Sequence, residues 1–285
     1  DIVFASVWGT TPALAAYIIA FTAPNLLRSF FAEGAFSAGF VPVFTERIQK
    51  QGLSSAWEGA TRVLSVLLVV VAGVATVIGL VAFFVSVFLV SGGLAGLTFE
   101  LIYRMIPYAV FICLSGALTC TLSSFSRFSV PGFSPVVLNI TLIVTALFIS
   151  PMWGDDPESR IRCLTLGVLL AGGIQLGVHL VACGLNGLRL RFRPSWRAEE
   201  VRRVGALMLP ALFGAAALQL NVAVDRALAG ALGSMATTSL YYSQRLAYLP
   251  VGMFGVALTM VCLPSLSRAF TRQDGEAMKS TLGFG

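Results

Sequence analysis

The sequence predicts an all-α, polytopic transmembrane helical bundle. Three observations predict it: 57% of the 285 residues are hydrophobic, only 11% are charged, and the mean hydropathy is +0.87. A soluble domain carries roughly 25% charged residues. Nearly uninterrupted apolar stretches at 63–90, 101–122, 133–152 and 204–224 reach or exceed the roughly 20 residues that a helix needs to cross the hydrocarbon core. One such stretch would be an anchor; several make a bundle.

Element by element, the apolar runs predict helices at about 12–46 (broken), 60–90, 100–124, 133–152, 162–188, 204–232 and 237–269, with residues 1–9 closing an earlier span. Turn chemistry separates them. Ser91, Gly92 and Gly93 end one span, Pro151, Gly154, Asp155, Asp156 and Pro157 form a second loop, and Gly233 with Ser234 forms a third.

The net charge of +6 does not point to nucleic acid, because the basic residues lie between apolar runs instead of forming a stripe on a polar domain. Arg189, Arg191, Arg193, Arg197, Arg202 and Arg203 fill one connector, which the positive-inside rule places in the cytoplasm. Alternation then puts Arg47, Lys50, Arg62, Arg127, Arg268, Arg272 and Lys279 on the same side. On the other side Arg160 and Arg162 are offset by Asp155, Asp156 and Glu158, and Arg104 is an exception.

Cys113, Cys120, Cys163, Cys183 and Cys262 form no CxxC pair and sit in or beside apolar runs, as small packing residues do. His179 reads as an interfacial or packed histidine, not a metal ligand. HExxH, GxSxG and Walker motifs are missing from the sequence, so an enzyme has little to stand on. A membrane enzyme acting on polyprenyl substrates would want paired intramembrane carboxylates, and Glu33 with Asp225 is too sparse a set.

An internal repeat organises the chain. Asp1, Ala5, Gly9 and Tyr17 recur at an offset of 224 as Asp225, Ala229, Gly233 and Tyr241, and the Val41 to Thr45 stretch is echoed at Leu263 to Ser267. Duplicated halves are common in transporters. The repeat predicts most of one six-helix lobe at 1–203 and the first two helices of a second lobe at 204–285. With no initiating methionine and a span already closing at its start, the chain reads as a piece of a longer protein.

Charge inside a bilayer costs roughly 2.5–3.5 kcal/mol at a span centre, so intramembrane ionisable groups are functional candidates. They are Arg28, Glu33, Asp225, Arg226 and Arg245. Pro24 removes a backbone donor and Gly34 and Gly39 loosen the helix, so the span that carries Arg28 and Glu33 is expected to bend and expose backbone groups to a cavity. An arginine offers a forked donor set to phosphate or carboxylate. As structural alternatives, both residues could bridge neighbouring helices. Asp225 and Arg226 point about 100° apart on an ideal helix; Asp225 is expected to face the bundle and Arg226 to snorkel outward.

The stretch Pro24-Asn25, Arg28, Glu33-Gly34-Ala35-Phe36-Ser37, Phe40-Val41-Pro42 resembles the lipid II flippase family (MurJ, also called MviN) of the multidrug, oligosaccharidyl-lipid and polysaccharide exporter superfamily. Ser126 to Pro131 with Pro135, Leu138 and Asn139, and Tyr241-Tyr242, Arg245-Leu246, Pro250 and Leu263 to Ser267, are further matches. The resemblance implies a two-lobed transporter of the bacterial inner membrane, not an enzyme. It would flip lipid II, the undecaprenyl-pyrophosphate-linked peptidoglycan precursor, by alternating access. It further implies that Arg28 and Arg245 bind the pyrophosphate, with Asn25 and Glu33 in the same substrate-binding set, and that Asp225 matches a sodium-ligand position. No bound cofactor is implied; sodium or the membrane potential would drive transport. The implied partners are lipid II, membrane lipids and the cell-division or elongation machinery. Family members commonly carry an acidic residue where this chain has Ala15 and a second arginine where it has Ser29. The alternatives are a related exporter of drugs or polysaccharide-lipid precursors, and an inactive membrane scaffold.

Overall fold

The computed structural model describes residues 1–32, 34–90, 92–125, 129–187 and 191–250. It contains α1 (Ile2–Trp8), α2 (Pro12–Ala20), α3 (Thr22–Phe31), α4 (Gly34–Gln51), α5 (Leu53–Phe84) and α6 (Gly93–Met105). These are followed by α7 (Pro107–Ser123), α8 (Ser129–Val144), α9 (Ser150–Trp153), α10 (Pro157–Leu185), α11 (Glu199–Leu232) and α12 (Ser234–Pro250). Single π-helical turns extend α5 over Val85–Leu89 and α8 over Thr145–Ile149. Five helical stretches are long and apolar enough to cross a membrane, and the α6–α7 pair, bent by 46°, makes a sixth. The bend falls at Ile106, just before Pro107, where the ring denies the helix a backbone donor.

The first span is broken, as its composition predicts, but at Phe21 and at Ala32. Ala32 leaves helical geometry (φ −123°, ψ −18°). Gly39 is not a break: it lies inside α4. Its missing side chain serves packing, since a Cβ there would stand 2.6 Å from the Val204 carbonyl oxygen and 3.2 Å from the Met208 nitrogen of α11. Gly116 of α7 is likewise closed over by Ala32, 2.4 Å from the site of its would-be Cβ. In lipid there is little hydrophobic drive between helices, so such small-residue contacts decide which faces meet.

Helix α11, which the repeat assigns to the opening of the second lobe, runs antiparallel along the broken first span. At the arginine-rich end Glu200 is 5% exposed and pairs with Arg47 at 3.0 Å and Arg62 at 2.9 Å, while Arg203 reaches Glu46 at 2.6 Å. Further along, Gln219 donates to Ser29 Oγ at 2.9 Å, and Arg226 donates to Thr22 Oγ1 at 2.6 Å. One compact unit comprises residues 1–237; a second begins at Thr238 within α12.

At the opposite end Arg104, the exception to the charge bias, is paired with Glu100 at 2.7 Å, which also accepts from Arg162 at 2.9 Å. Asp156 caps α10 by accepting the Ser159 N–H at 2.8 Å. The Ser159 side chain and then its N–H hold the Asp156 carboxyl below the usual carboxylate range. His179 is a packed histidine, 1% exposed, bonded to Thr119 at 3.0 Å and to the Gln175 carbonyl at 2.7 Å. Cys113, Cys120, Cys163 and Cys183 are buried thiols; Cys262 lies outside the described residues. Of the repeat, Gly9 and Gly233 both end helices at positive φ, 56° and 112°, where glycine is favoured. Its Leu263 to Ser267 member lies outside the described residues.

Gly39→Leu should lower stability by about 1–3 kcal/mol through overpacking at α11. Gly73→Ala, where a Cβ meets nothing within 4 Å, should leave stability unchanged or slightly raised. Thermal unfolding of the purified protein compares the two. For orientation, a cysteine-free protein with Arg197→Cys should react with an impermeant thiol reagent only after lysis. One with Asp155→Cys should react in intact spheroplasts.

Candidate functional site

Helix α3 carries the candidate residues because two breaks isolate it as a ten-residue segment inside an apolar span. Pro24 sits in its first turn, where a missing N–H is harmless. Pro24 and Leu27 are buried toward the bundle. Asn25, Arg28 and Ser29 stand at i, i+3 and i+4, which places them together on another face; all three are half-buried. Arg28 lies close enough to the Tyr108 hydroxyl of α7 to act on it electrostatically. Glu33 lies outside the described residues.

The structure therefore brings Asn25 and Arg28 together and adds two residues that the sequence did not single out. Gln219, a neutral amide in the apolar run of α11, fixes Ser29, and Thr22 receives Arg226. The expected facing of the charged pair on α11 is reversed. Arg226 turns into the bundle toward Thr22, whereas Asp225 is exposed. The reason is local: the Thr22 hydroxyl already donates to the Ile18 carbonyl at 3.1 Å, so its oxygen is left to accept from an arginine and has no proton for an aspartate. Among the described residues no three His, Cys, Asp or Glu side chains come together, so Asp225 has no such partners for a sodium cage there.

Arg245 belongs to the second unit and lies on α12, four residues after Tyr241. Its guanidinium stands 5.3 Å from the Tyr241 ring centroid and donates to the Tyr241 hydroxyl at 3.4 Å. The side chain is exposed.

A family model described as lipid II flippase MurJ matches residues 4–285. The chain belongs to the lipid II flippase MurJ family. A probable lipid II flippase MurJ of Haemophilus influenzae is 33% identical over 303 residues, covering 100% of this chain and 57% of that protein. The lipid II flippase MurJ of Burkholderia cenocepacia is 33% identical over 300 residues, covering 100% and 56%. The chain thus spans about half the length of the curated relatives it matches. Among solved structures, a lipid II flippase MurJ in an inward closed conformation superposes with a TM-score of 0.74 at 24% identity, covering 99% of this chain and 59% of that one. An inward-facing multidrug resistance transporter of the MATE family gives 0.70 at 15% identity, covering 98% and 63%. These two likenesses show the fold, an all-helical membrane bundle.

Within that MurJ framework the two departures have structural partners. Ala15 is fully buried on α2, where a carboxylate would need a cation beside it. Ser29 is the acceptor for Gln219 of α11, a neutral polar contact.

Thr22→Val and Arg226→Leu should each lower stability by about 1–3 kcal/mol, because each strands a polar group or removes a charge-assisted bond. The double variant should lose less than the two together. A thermal-unfolding double-mutant cycle measures this coupling.

Proposed function

We propose that this chain is part of a lipid II flippase of the bacterial inner membrane, containing most of the first lobe (1–203) and the opening helices of the second (204–285). The observation that carries the reading is Arg28, half-buried in the isolated helix α3 of a chain that matches the MurJ family model over residues 4–285. Arginine is suited to a pyrophosphate because its fork can bind two oxygens at once. A broken span supplies backbone polar groups only where they line protein or water.

In this reading the pyrophosphate of lipid II is gripped by Arg28 and Arg245, with Asn25 beside Arg28 and Glu33 as the acidic member of the set, while the polyprenyl tail stays in the bilayer. Alternating access exposes the site to one side and then the other. Sodium, with Asp225 as one of its ligands, or the membrane potential would drive the cycle. Moving one charge through 100 mV is worth about 2.3 kcal/mol. The protein is then a transporter and not an enzyme, and its substrate chemistry is set by the headgroup.

In the whole protein, Arg28→Ala should abolish growth of a flippase-depleted strain while membrane insertion is retained, since removing an intramembrane cation eases insertion. Lipid II translocation should fall by roughly tenfold to a hundredfold, the worth of one hydrogen bond to a charged group. Arg28→Lys should restore part of it, as a point charge without the fork. Full activity of Arg28→Ala would sink the assignment.

A further inference from the structure

Away from the candidate site, a cleft of about 700 Å³ opens where the N-terminus of α5 meets the segment after α10, lined by Trp57, Glu58, Thr61, Gly187, Arg191 and Arg193. It adjoins a groove of about 210 Å³ walled by Leu64, Leu68, Leu114, Leu118, Leu176 and Leu180 of α5, α7 and α10. Arg191 lines both, so a basic cleft and an apolar groove lie side by side. Leu64 and Leu68 follow Trp57 by seven and eleven residues on α5. At 1.5 Å per residue the groove begins about 10–16 Å along α5 from Trp57.

The cleft contains an unsatisfied donor. Trp57 is 6% exposed, held by Phe44 and Phe125, and its indole Nε1 has no hydrogen-bond partner. A Cβ on Gly187 would stand 3.4 Å from Nε1, so the chain at Gly187 lies against the edge of the indole at the wall of the cleft. Buried polar groups without partners are rare. The backbone N–H of Arg193 is bonded to Ser65 at 3.0 Å, which anchors the segment. Its guanidinium is 3.9 Å from Glu58, whose carboxylate is engaged more closely by Arg62 at 2.7 Å. Among the described residues Arg191 has no acidic partner, and it is exposed.

We propose that Arg191 and Arg193, beside Trp57, bind the headgroup phosphate of an anionic phospholipid whose acyl chain lies in the groove between α5, α7 and α10. Charge complementarity selects an anionic lipid over a zwitterionic one, and the apolar groove selects a lipid over a free anion. The proposal rests on the membrane-spanning fold alone and not on the transport reading.

The test uses the whole protein with Trp57 as its only tryptophan, reconstituted in phosphatidylcholine containing a minor fraction of brominated lipid. Brominated phosphatidylglycerol should quench Trp57 at much lower mole fraction than brominated phosphatidylcholine. Each basic side chain near an anionic surface contributes roughly fivefold in binding, so R191Q with R193Q should erase about twentyfold of that preference. Both positions are exposed, and an unchanged unfolding midpoint in phosphatidylcholine confirms that the double variant is folded. Leu68→Phe, which narrows the groove without altering charge, should weaken quenching by phosphatidylglycerol severalfold. Equal quenching by the two lipids, a preference untouched by R191Q with R193Q, or full relief by millimolar inorganic phosphate would each overturn the proposal.

Discussion

The seam between the broken first span and α11 is the constraint on which the rest of the bundle depends. Its charged end is the most demanding part. Glu200 is nearly excluded from solvent, and its carboxylate is tolerable only because Arg47 and Arg62 approach from two different helices. Removing a partner from such a buried pair is far more damaging than the net worth of the pair, because a bare charge remains. Glu200 therefore fixes α4, α5 and α11 relative to one another at that end. Gly39 lets the backbones of α4 and α11 close to a separation that any side chain would forbid. Beyond it, Ser29 with Gln219 and Thr22 with Arg226 continue the seam to the far end of α11.

This seam explains the shape of the candidate site. A ten-residue helix with a break at each end would not keep its own orientation, since isolated helices shorter than about 12 residues are marginal. Helix α3 is oriented from outside instead: Ala32 is pressed onto Gly116 of α7 on one side and Ser29 is bonded to α11 on the other. Asn25 and Arg28 are thus presented by a segment whose backbone is irregular at both ends but whose contacts are specific. The breaks loosen the span, and the neighbours hold it.

The apolar runs made the spans legible in the sequence, because length and hydropathy are properties of single segments. The break in the first span was legible for the same reason, through Pro24 and Gly34. What depended on a neighbour was not. Whether Asp225 or Arg226 faces inward turns on Thr22, some two hundred positions earlier. Gln219 went unremarked because a neutral amide in an apolar run has no charge to draw attention, and Glu200 because it falls in a charge-rich connector where exposure is the ordinary expectation. Gly39 carried a real signal with the wrong meaning. Glycine in a helix can loosen it or admit a partner, and only the approach of Val204 decides between them. The lobe division at 203/204, Glu33 and the Leu263 to Ser267 echo rest on the repeat and on family resemblance.

The same seam bears on how the chain can move. A transport cycle that rocked α11 away from α4 would have to expose Glu200 and part Arg203 from Glu46, and at the same time break the bonds to Ser29 and Thr22. Each charged or buried contact is worth on the order of 1–3 kcal/mol when stranded. Conformers that interconvert freely differ by only a few kcal/mol. Residues 1–237 are therefore better suited to move as one body, with α11 carried along by the first span.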